Sequence, residues 1–240
     1  MLIFNDESLT FEEAGDRTDV AWIRPTPPTG YIKQRKPKEK GSVVGNDYAH
    51  RFNRALSYAS GLESKFTMML LADRHVVDLR EQWPKLWYWR PGARTQNWTV
   101  VDHYAVYDTG FRIAYSVKAS EFLGESEAFD IRDLVREQLM GDKFDEYVVL
   151  TEEQITDDKA ANAEDIVVAC SNRNDCHCAL VMEFMRTIVQ PISFLAVERT
   201  LPPEIDVRNS LLCLIYDGLV EHLSPEQAFD DAPFIQTIIN

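Results

Sequence analysis

Residues 98–118 read WTVVDHYAVYDTGFRIAYSVK and contain two runs that are rich in valine, tyrosine, isoleucine and phenylalanine. The runs, 98–108 and 111–119, flank Thr109 and Gly110, and this dipeptide is typical of a turn. The stretch therefore predicts two antiparallel strands that form a β-hairpin.

The register of this hairpin decides which polar side chains share a face of the sheet. With a loop of three residues, Asp108 pairs with Arg112, and Asp102 lies opposite Lys118 on the same face. With a loop of two residues, Asp102 lies opposite Val117 on the other face. A site that combines Asp102 with Lys118 requires the first register.

A helix is predicted at residues 60–72, with apolar residues at helical spacing and Ser60 as the N-cap. Glu63 lies three residues before Phe66 and seven before Leu70, so its carboxylate is predicted to point toward the buried face. The other interpretation is a partly exposed glutamate that interacts with the dipole at the start of the helix.

The remaining patterns predict a mixed α/β domain followed by a small, mostly α-helical domain. Further strands are predicted at 76–80 and 147–151, and a wing strand at 219–223. Longer helices are predicted at 120–140, 179–190 and 207–216, and a short helix is predicted to start at 152–155. A polar, acidic stretch at 151–165 marks a boundary. We divide the chain into an arm at 1–40, a first domain at 41–150 and a C-terminal domain at 151–240.

The net charge of −14 over 240 residues hides three unlike segments. The net charge is −5 for residues 1–23, +8 for 24–118 and −17 for 119–240. The average argues against a nucleic-acid ligand, but the basic middle segment does not. The basic part of the arm, at the start of this segment, has two interpretations. It is either a solvated linker or a contact to the DNA backbone through Lys33, Arg35, Lys36, Lys38 and Lys40.

Glu63, Asp102 and Lys118 together are the residue types that metal-assisted phosphodiester hydrolysis requires. Two carboxylates hold Mg²⁺ through oxygen ligands, and a lysine stabilises the nucleophile and the developing charge. The other interpretation of the aspartate and the lysine is a surface ion pair that contributes about 0 to 1 kcal/mol to stability.

The strings LESKFTMMLLADRHVVDLREQWP (62–84), VVDHYAVYDTGFRIAYSVKAS (100–120) and YVVLTEEQI (147–155) resemble the TnsA endonuclease subunit of Tn-seven-type heteromeric transposases. Leu62-Glu63, Glu81 to Pro84, Asp102 and Ser116 to Lys118 stand at the positions of the family's motifs. The resemblance covers residues 50–155 well and extends more weakly to RNSLLCLIYDGLVEHLS (208–224).

The resemblance implies a restriction-endonuclease-like α/β fold, with a mixed sheet flanked by helices, and a winged-helix-like C-terminal domain that docks partners. It implies Mg²⁺-dependent cutting of the non-transferred strand at the transposon 5′ ends in cut-and-paste transposition, with Mn²⁺ able to substitute. The implied partners are transposon-end DNA, a DDE-type, TnsB-like transposase subunit and an AAA+, TnsC-like ATPase. The implied catalytic residues are Glu63, Asp102 and Lys118. The implied metal ligands are Glu63, Asp102 and the Val117 carbonyl, supported by Ser116 and Gln82. The expected DNA contacts are the basic residues of the arm, Arg51 and Arg54.

Two departures from the family pattern affect these expectations. Ser116 replaces the glutamine or glutamate expected two residues before the lysine, and Val101 replaces the proline expected before the aspartate. The alternatives are a nuclease-fold assembly subunit that has lost catalysis and a stand-alone repair or phage-type nuclease.

Three further patterns concern the cysteines, the tryptophans and the N-terminus. Cys170, Cys176 and Cys178 match zinc spacing poorly, so free thiols are expected and zinc is not. The cluster of Trp83, Trp87 and Trp89 either stacks on bases or forms a wall of the first domain's core, and we favour the core. The N-terminus lacks a secretory pattern, so an intracellular location without membrane contact is expected. The resemblance implies that this location is the bacterial cytoplasm. From its charge, the acidic C-terminal domain is expected to face protein partners.

Overall fold

The structure is a computed structural model that describes residues 43–238, apart from the side chain of Glu125. The arm at 1–40, with the five basic residues predicted to contact DNA, lies outside the described residues. In chain order the strands and helices are β1 (Gly45–Ala49), β2 (Arg54–Tyr58), α1 (Gly61–Ala72), β3 (Val76–Glu81), β4 (Lys85–Tyr88), β5 (Asn97–Val100), β6 (His103–Tyr107), β7 (Arg112–Val117), α2 (Leu123–Ser126), α3 (Ala128–Leu139), β8 (Glu146–Leu150), α4 (Asp157–Ser171), α5 (Asp175–Arg186), β9 (Ile192–Ser193), α6 (Phe194–Thr200), α7 (Val207–Tyr216), β10 (Val220–His222) and β11 (Phe234–Thr237).

A mixed four-stranded sheet with the order β3-β6-β7-β8 forms the centre of the first domain. Its first three strands are antiparallel, and β8 runs parallel to β7. A parallel partner needs a crossover connection, which α2 and α3 provide. The predicted α/β class, with a mixed sheet flanked by helices, is confirmed.

Each face of this sheet is covered by a separate apolar core. On one face, Phe66 and Leu70 of α1 pack with Leu79 and Val117 from the strands. On the other face, α3 contributes Val135 to a cluster that also contains Leu86, Tyr88, Tyr104, Phe144 and Tyr147. The sheet is therefore the middle of three layers.

The β6–β7 hairpin forms with a register that differs from both predicted ones. His103 pairs with Tyr115 and Val106 pairs with Arg112, which leaves a three-residue loop at 108–110. Continuing this register places Asp102 opposite Ser116 rather than Lys118. Because side chains alternate with a period of two, this shift of two residues keeps Asp102 on the same face as Lys118.

The predicted helix at 60–72 is confirmed as α1, and the Ser60 side chain accepts a hydrogen bond from the Glu63 amide at 3.1 Å. The predicted helix at 120–140 is wrong in its continuity. The chain forms a 3-10 turn, α2 and α3 there, and Glu127 breaks the helix with a left-handed φ of 50°.

Most of the acidic stretch at 151–165, where we placed the boundary between the two domains, is helical. The segment expected to start a helix at 152–155 is a turn, and the rest of the stretch belongs to α4, with Thr156 as its N-cap. This helix packs against α1 of the first domain and against α7. It therefore connects the two parts of the chain through packed contacts.

The C-terminal part combines helices with a small antiparallel sheet of order β10-β11-β9. Its core contains Met185, Phe194, Val197, Leu211 and Ile235. The helix at 207–216 is confirmed as α7, the helix at 179–190 is found earlier as α5, and the strand predicted at 219–223 is found as β10. Among the residues from 43 to 238, no helix has the length and apolar character needed to cross a membrane.

Candidate functional site

Four segments meet at one edge of the central sheet and bring polar side chains together. They are the start of α1 with Glu63, the residue after β3, Gln82, the residue before β6, Asp102, and the end of β7 from Ser116 to Lys118. All of the residues predicted to be catalytic or to hold metal lie in this cluster.

Glu63 is buried at the first turn of α1, as the inward-pointing interpretation predicted, and it is not the partly exposed glutamate of the alternative. Its carboxylate accepts hydrogen bonds from the Ala59 amide at 2.9 Å and from the Ser60 hydroxyl at 3.1 Å, as a residue that caps a helix start does. It also points inward and is only 6% exposed. Burial raises the pKa of Glu63 above its ordinary value, and the nearby Asp102 carboxylate raises it further.

Asp102 is the most heavily hydrogen-bonded side chain of the cluster. Its Oδ2 accepts from the Val117 amide at 2.8 Å, from the Ser116 hydroxyl at 3.2 Å and from Lys118 Nζ at 2.7 Å. Lys118 Nζ also donates to the Val117 carbonyl at 3.0 Å. These bonds fix the position of the Asp102 carboxylate and of the ammonium group beside it.

Gln82 links the two carboxylates. Its side-chain Nε2 lies 3.3 Å from Glu63 Oε2 and 3.4 Å from Asp102 Oδ1, and its backbone amide donates to the Asp102 carbonyl at 2.9 Å. The φ angle of Gln82 is 48°, in the left-handed region that non-glycine residues adopt at a conformational cost. The chain therefore keeps a side chain at a position where the backbone favours glycine.

The donor set of the cluster suits a hard cation. The Glu63 and Asp102 carboxylates and the Val117 carbonyl are all oxygen donors, and Mg²⁺ in proteins is held by one or two carboxylates together with water and phosphate oxygens. In the part of the chain that the structure describes, no group of three or more histidine, cysteine, aspartate or glutamate side chains is arranged to hold a metal. The site residues fit a Mg²⁺ ion that also takes water or phosphate oxygens, and they do not form an all-protein metal cage.

His103 and Thr67 lie directly behind the cluster, and no pattern in the sequence indicated their pairing. His103 is fully buried, and its Nε2 lies 2.8 Å from Thr67 Oγ1, which donates to the Glu63 carbonyl at 3.0 Å. Burial lowers the pKa of His103 to about 4, so the imidazole is neutral near pH 7. The Thr67 hydroxyl and the imidazole share one hydrogen bond, and the tautomer of His103 sets which of the two donates.

Replacing Thr67 with valine is expected to lower the free energy of unfolding by about 1–3 kcal/mol, because a buried imidazole nitrogen loses its hydrogen-bond partner. Urea unfolding followed by circular dichroism measures this change. The matched control is Thr200→Val in α6, which removes a similar hydroxyl bond, to the Ala196 carbonyl, from an exposed threonine. An equal and small effect of both substitutions would show that the Thr67–His103 bond is not stabilising.

The two arginines predicted to contact DNA are both engaged within the protein. Arg54 is 6% exposed, and its guanidinium bonds to the Glu81 carboxylate at 3.0 Å and to the Leu79 carbonyl at 3.1 Å. This interior position corrects the prediction that Arg54 binds DNA. Arg51 is exposed but donates to the carbonyls of Asp73 and Arg74 at the end of α1, so it fixes a helix end.

The cysteines are free thiols in the structure, with Cys178 and Cys213 buried, Cys170 half-buried and Cys176 exposed. Burial raises the pKa of Cys170 and raises that of Cys213 to about 12, which keeps both as thiols. Cys213 was not part of the predicted cluster, although it lies next to Cys170 in space.

The tryptophans favoured as a core wall are instead on the surface. Trp83, Trp87 and Trp89 are 40%, 47% and 49% exposed. The residues that alternate with Trp87 and Trp89 along the chain, Leu86 and Tyr88, are the ones that enter the core. Strand alternation, which the run of aromatic residues concealed, explains the difference.

A scan against protein-family models and a comparison with curated proteins find no match for this chain. The function is therefore inferred from the geometry of the Glu63, Asp102 and Lys118 cluster and from the resemblance of its motifs.

Proposed function

We propose that this protein is a Mg²⁺-dependent DNA endonuclease and that Glu63, Asp102 and Lys118 form its active site. The observation that carries the proposal is the convergence of these three side chains from α1, the start of β6 and the end of β7. Gln82 contacts both carboxylates, and Lys118 contacts Asp102 directly. Residues that are 39 and 16 positions apart in the sequence meet in one cluster.

The order of the elements supports a restriction-endonuclease-like core. A helix, three antiparallel strands, a crossover helix and a parallel strand succeed one another as α1, β3, β6, β7, α3 and β8. The excursion β4–β5 interrupts this order between β3 and β6. In the C-terminal part, the succession α5, β9, α6, α7, β10 and β11, with the sheet order β10-β11-β9, supports the winged-helix-like assignment.

In this proposal, Glu63, Asp102 and the Val117 carbonyl would hold Mg²⁺, and the ion would supply polarisation of the scissile phosphate. Lys118 places a positive charge where negative charge develops on the phosphate during attack by water. Gln82 keeps the two carboxylates at a fixed separation. The short Ser116 hydroxyl donates to Asp102 at 3.2 Å and helps to hold its orientation.

The resemblance to TnsA supports a role for this activity in a transposase made of several subunits. We propose that the protein cuts the non-transferred strand at transposon 5′ ends, together with a DDE-type transposase subunit and an AAA+ ATPase. The segment 119–240, with a net charge of −17, would repel DNA and is proposed to face basic surfaces of these proteins.

The test is a cleavage assay on end-labelled transposon-end duplex with the full chain and its transposase partner. One new cut in a single strand is expected with Mg²⁺ or Mn²⁺ and none with EDTA. Calorimetric titration of the isolated chain with Mn²⁺ measures ion binding independently of cleavage. Absence of both ion binding and cutting would refute the proposed active site.

A second candidate function is an assembly subunit that keeps this fold without catalysis. One observation favours it: serine stands at position 116, where the related motif has a longer acidic or amide side chain. Such a subunit would bind DNA and partners with normal affinity, but Mg²⁺ would produce no cut. The same cleavage and titration experiments distinguish the two functions.

A further inference from the structure

A two-stranded ribbon, formed by β4 and β5, projects from the candidate active site. In the chain it lies between Gln82 and Asp102, whose backbones are hydrogen-bonded at 2.9 Å. A second bond, from the Val101 amide to the Pro84 carbonyl at 3.2 Å, closes the base of the ribbon. Gln82, which supports the proposed metal site, and Asp102, which is part of it, thus lie at the two ends of the segment that forms the ribbon.

The two faces of the ribbon differ in character. The inner face carries Leu86 and Tyr88, which are 2% exposed and pack into the core against α3. On the outer face, Trp87 and Trp98 are directly opposite each other and are 47% and 55% exposed. The inner face fixes the ribbon on the domain, while the outer face presents two large indole rings to solvent.

Lys85 adds a positive charge to this outer face. Its Nζ lies 4.4 Å from the ring centroid of Trp87 and 4.1 Å from that of Trp98, within the range of cation–π contacts. Among the described residues, no ion pair is found for Lys85 or for the exposed Arg94 in the loop of the ribbon. Residues 82–101 contain three basic side chains and no acidic one, in a chain with a net charge of −14.

Surfaces that bind single-stranded nucleic acid typically combine exposed aromatic rings with positively charged side chains. Bases stack on the indole rings, and the lysine attracts the phosphate next to each base. A protein partner would also contact tryptophan, but it would not require a segment without a single carboxylate. The charge and the position next to the proposed active site favour DNA.

We propose that the outer face of this ribbon, Lys85, Trp87 and Trp98, stacks on unpaired bases of the DNA next to the phosphate that is cut. The proposal deepens the proposed nuclease function and rests on it for the identity of the substrate. It adds that the preferred substrate has locally unpaired bases beside the cleavage site.

The test measures binding of the full chain to labelled oligonucleotides by gel shift, with EDTA present so that no strand is cut. The probes are a single strand of about 20 nucleotides, the same strand with abasic positions at its centre, and the fully paired duplex. The double substitution Trp87→Ala/Trp98→Ala is expected to weaken binding of the base-bearing strand by about tenfold or more, and binding of the abasic strand by much less. The Trp87→Phe/Trp98→Phe variant keeps aromatic rings and is expected to retain most of the affinity.

The matched control is Phe111→Ala, which removes an exposed aromatic ring (46% exposed) at the opposite end of β7 from Lys118. It is expected to bind all three probes as the unaltered chain does. Wild-type affinity of the Trp87→Ala/Trp98→Ala variant for the base-bearing strand would overturn the proposal, as would an equal loss on the abasic strand. Intact DNA binding with lost binding of the transposase subunit would also overturn it, because the face would then contact protein.

The outcomes separate this proposal from the nuclease function. If the unaltered chain with its partner cuts no DNA with Mg²⁺ but shows base-dependent binding through the two tryptophans, the nuclease function fails and stacking is supported. If it cuts DNA and the ribbon variant binds and cuts equally well, the nuclease function is supported and stacking fails.

Discussion

Replacing Asp102 with asparagine is expected to reduce Mg²⁺-dependent strand cleavage by at least about 10²–10³-fold. Asparagine has nearly the same shape, and its oxygen can still accept the hydrogen bond from the Val117 amide, so the fold should persist. The substitution removes the negative charge that pairs with Lys118 and that, with Glu63, would hold the cation. Ion binding and cleavage should therefore fall together.

The measurement is cleavage of end-labelled DNA by the complex of the variant with its transposase partner, with Mn²⁺ titration of the isolated variant. The matched control is Asp108→Asn, which removes an exposed aspartate at the other end of the same hairpin. This control should cut DNA as the unaltered chain does. An Asp102→Asn variant that still cuts the non-transferred strand as fast as the unaltered chain would show that the active site lies elsewhere.

Replacing Arg54 with alanine is expected to lower the free energy of unfolding by about 3–5 kcal/mol, because it removes one partner of a buried ion pair. The Arg54 and Glu81 side chains are 8% and 1% exposed, and their contact distance is 3.0 Å. A chain of this size should then unfold at a temperature about 6–20 °C lower. Thermal unfolding followed by circular dichroism measures the shift.

The control for this substitution is Arg80→Ala, which breaks a half-exposed ion pair with Asp78 two residues along β3. Its expected effect is only about 0–1 kcal/mol. The double variant Arg54→Met/Glu81→Gln removes both charges and should lose less stability than the sum of its single changes. Equal effects of Arg54→Ala and Arg80→Ala would contradict the importance of burial for the first pair.

The sequence predicted the central hairpin and α1 because both have strong local signals. Thr109 and Gly110 mark the turn, and Ser60 caps the helix. It did not predict the exact register, which depends on where the loop closes. Because strand side chains alternate, an error of two residues left the relation between Asp102 and Lys118 unchanged, whereas an error of one would have reversed it.

Among the elements that were not predicted, β4 and α4 have weak local signals, while β5 and β6 divide the run 98–108 that was predicted as one strand. Pro84 and Pro91 flank the first of these strands, and the acidic start of α4 resembles a loop in composition. Packing against α1 and α7 stabilises α4, and such contacts between distant segments are not visible in a local pattern.

The candidate site was predicted in its residues but not in its supporting contacts. Motif spacing identified Glu63, Asp102 and Lys118, which the structure brings together. Spacing could not show that Arg54 is interior, because an arginine on a strand gives no sign of the face that it occupies. The Thr67–His103 bond joins residues 36 positions apart and has no signature in the sequence.

The ribbon also determines what optical spectroscopy can report about this protein. Four of the five tryptophans, at 83, 87, 89 and 98, lie on or beside it, and none lies after residue 98. Intrinsic tryptophan emission therefore reports mainly on the surroundings of the ribbon and very little on α5, α6 and α7. A shift or quenching of the tryptophan emission would signal a change at this one surface. Unfolding of the C-terminal part alone would leave the emission spectrum almost unaltered.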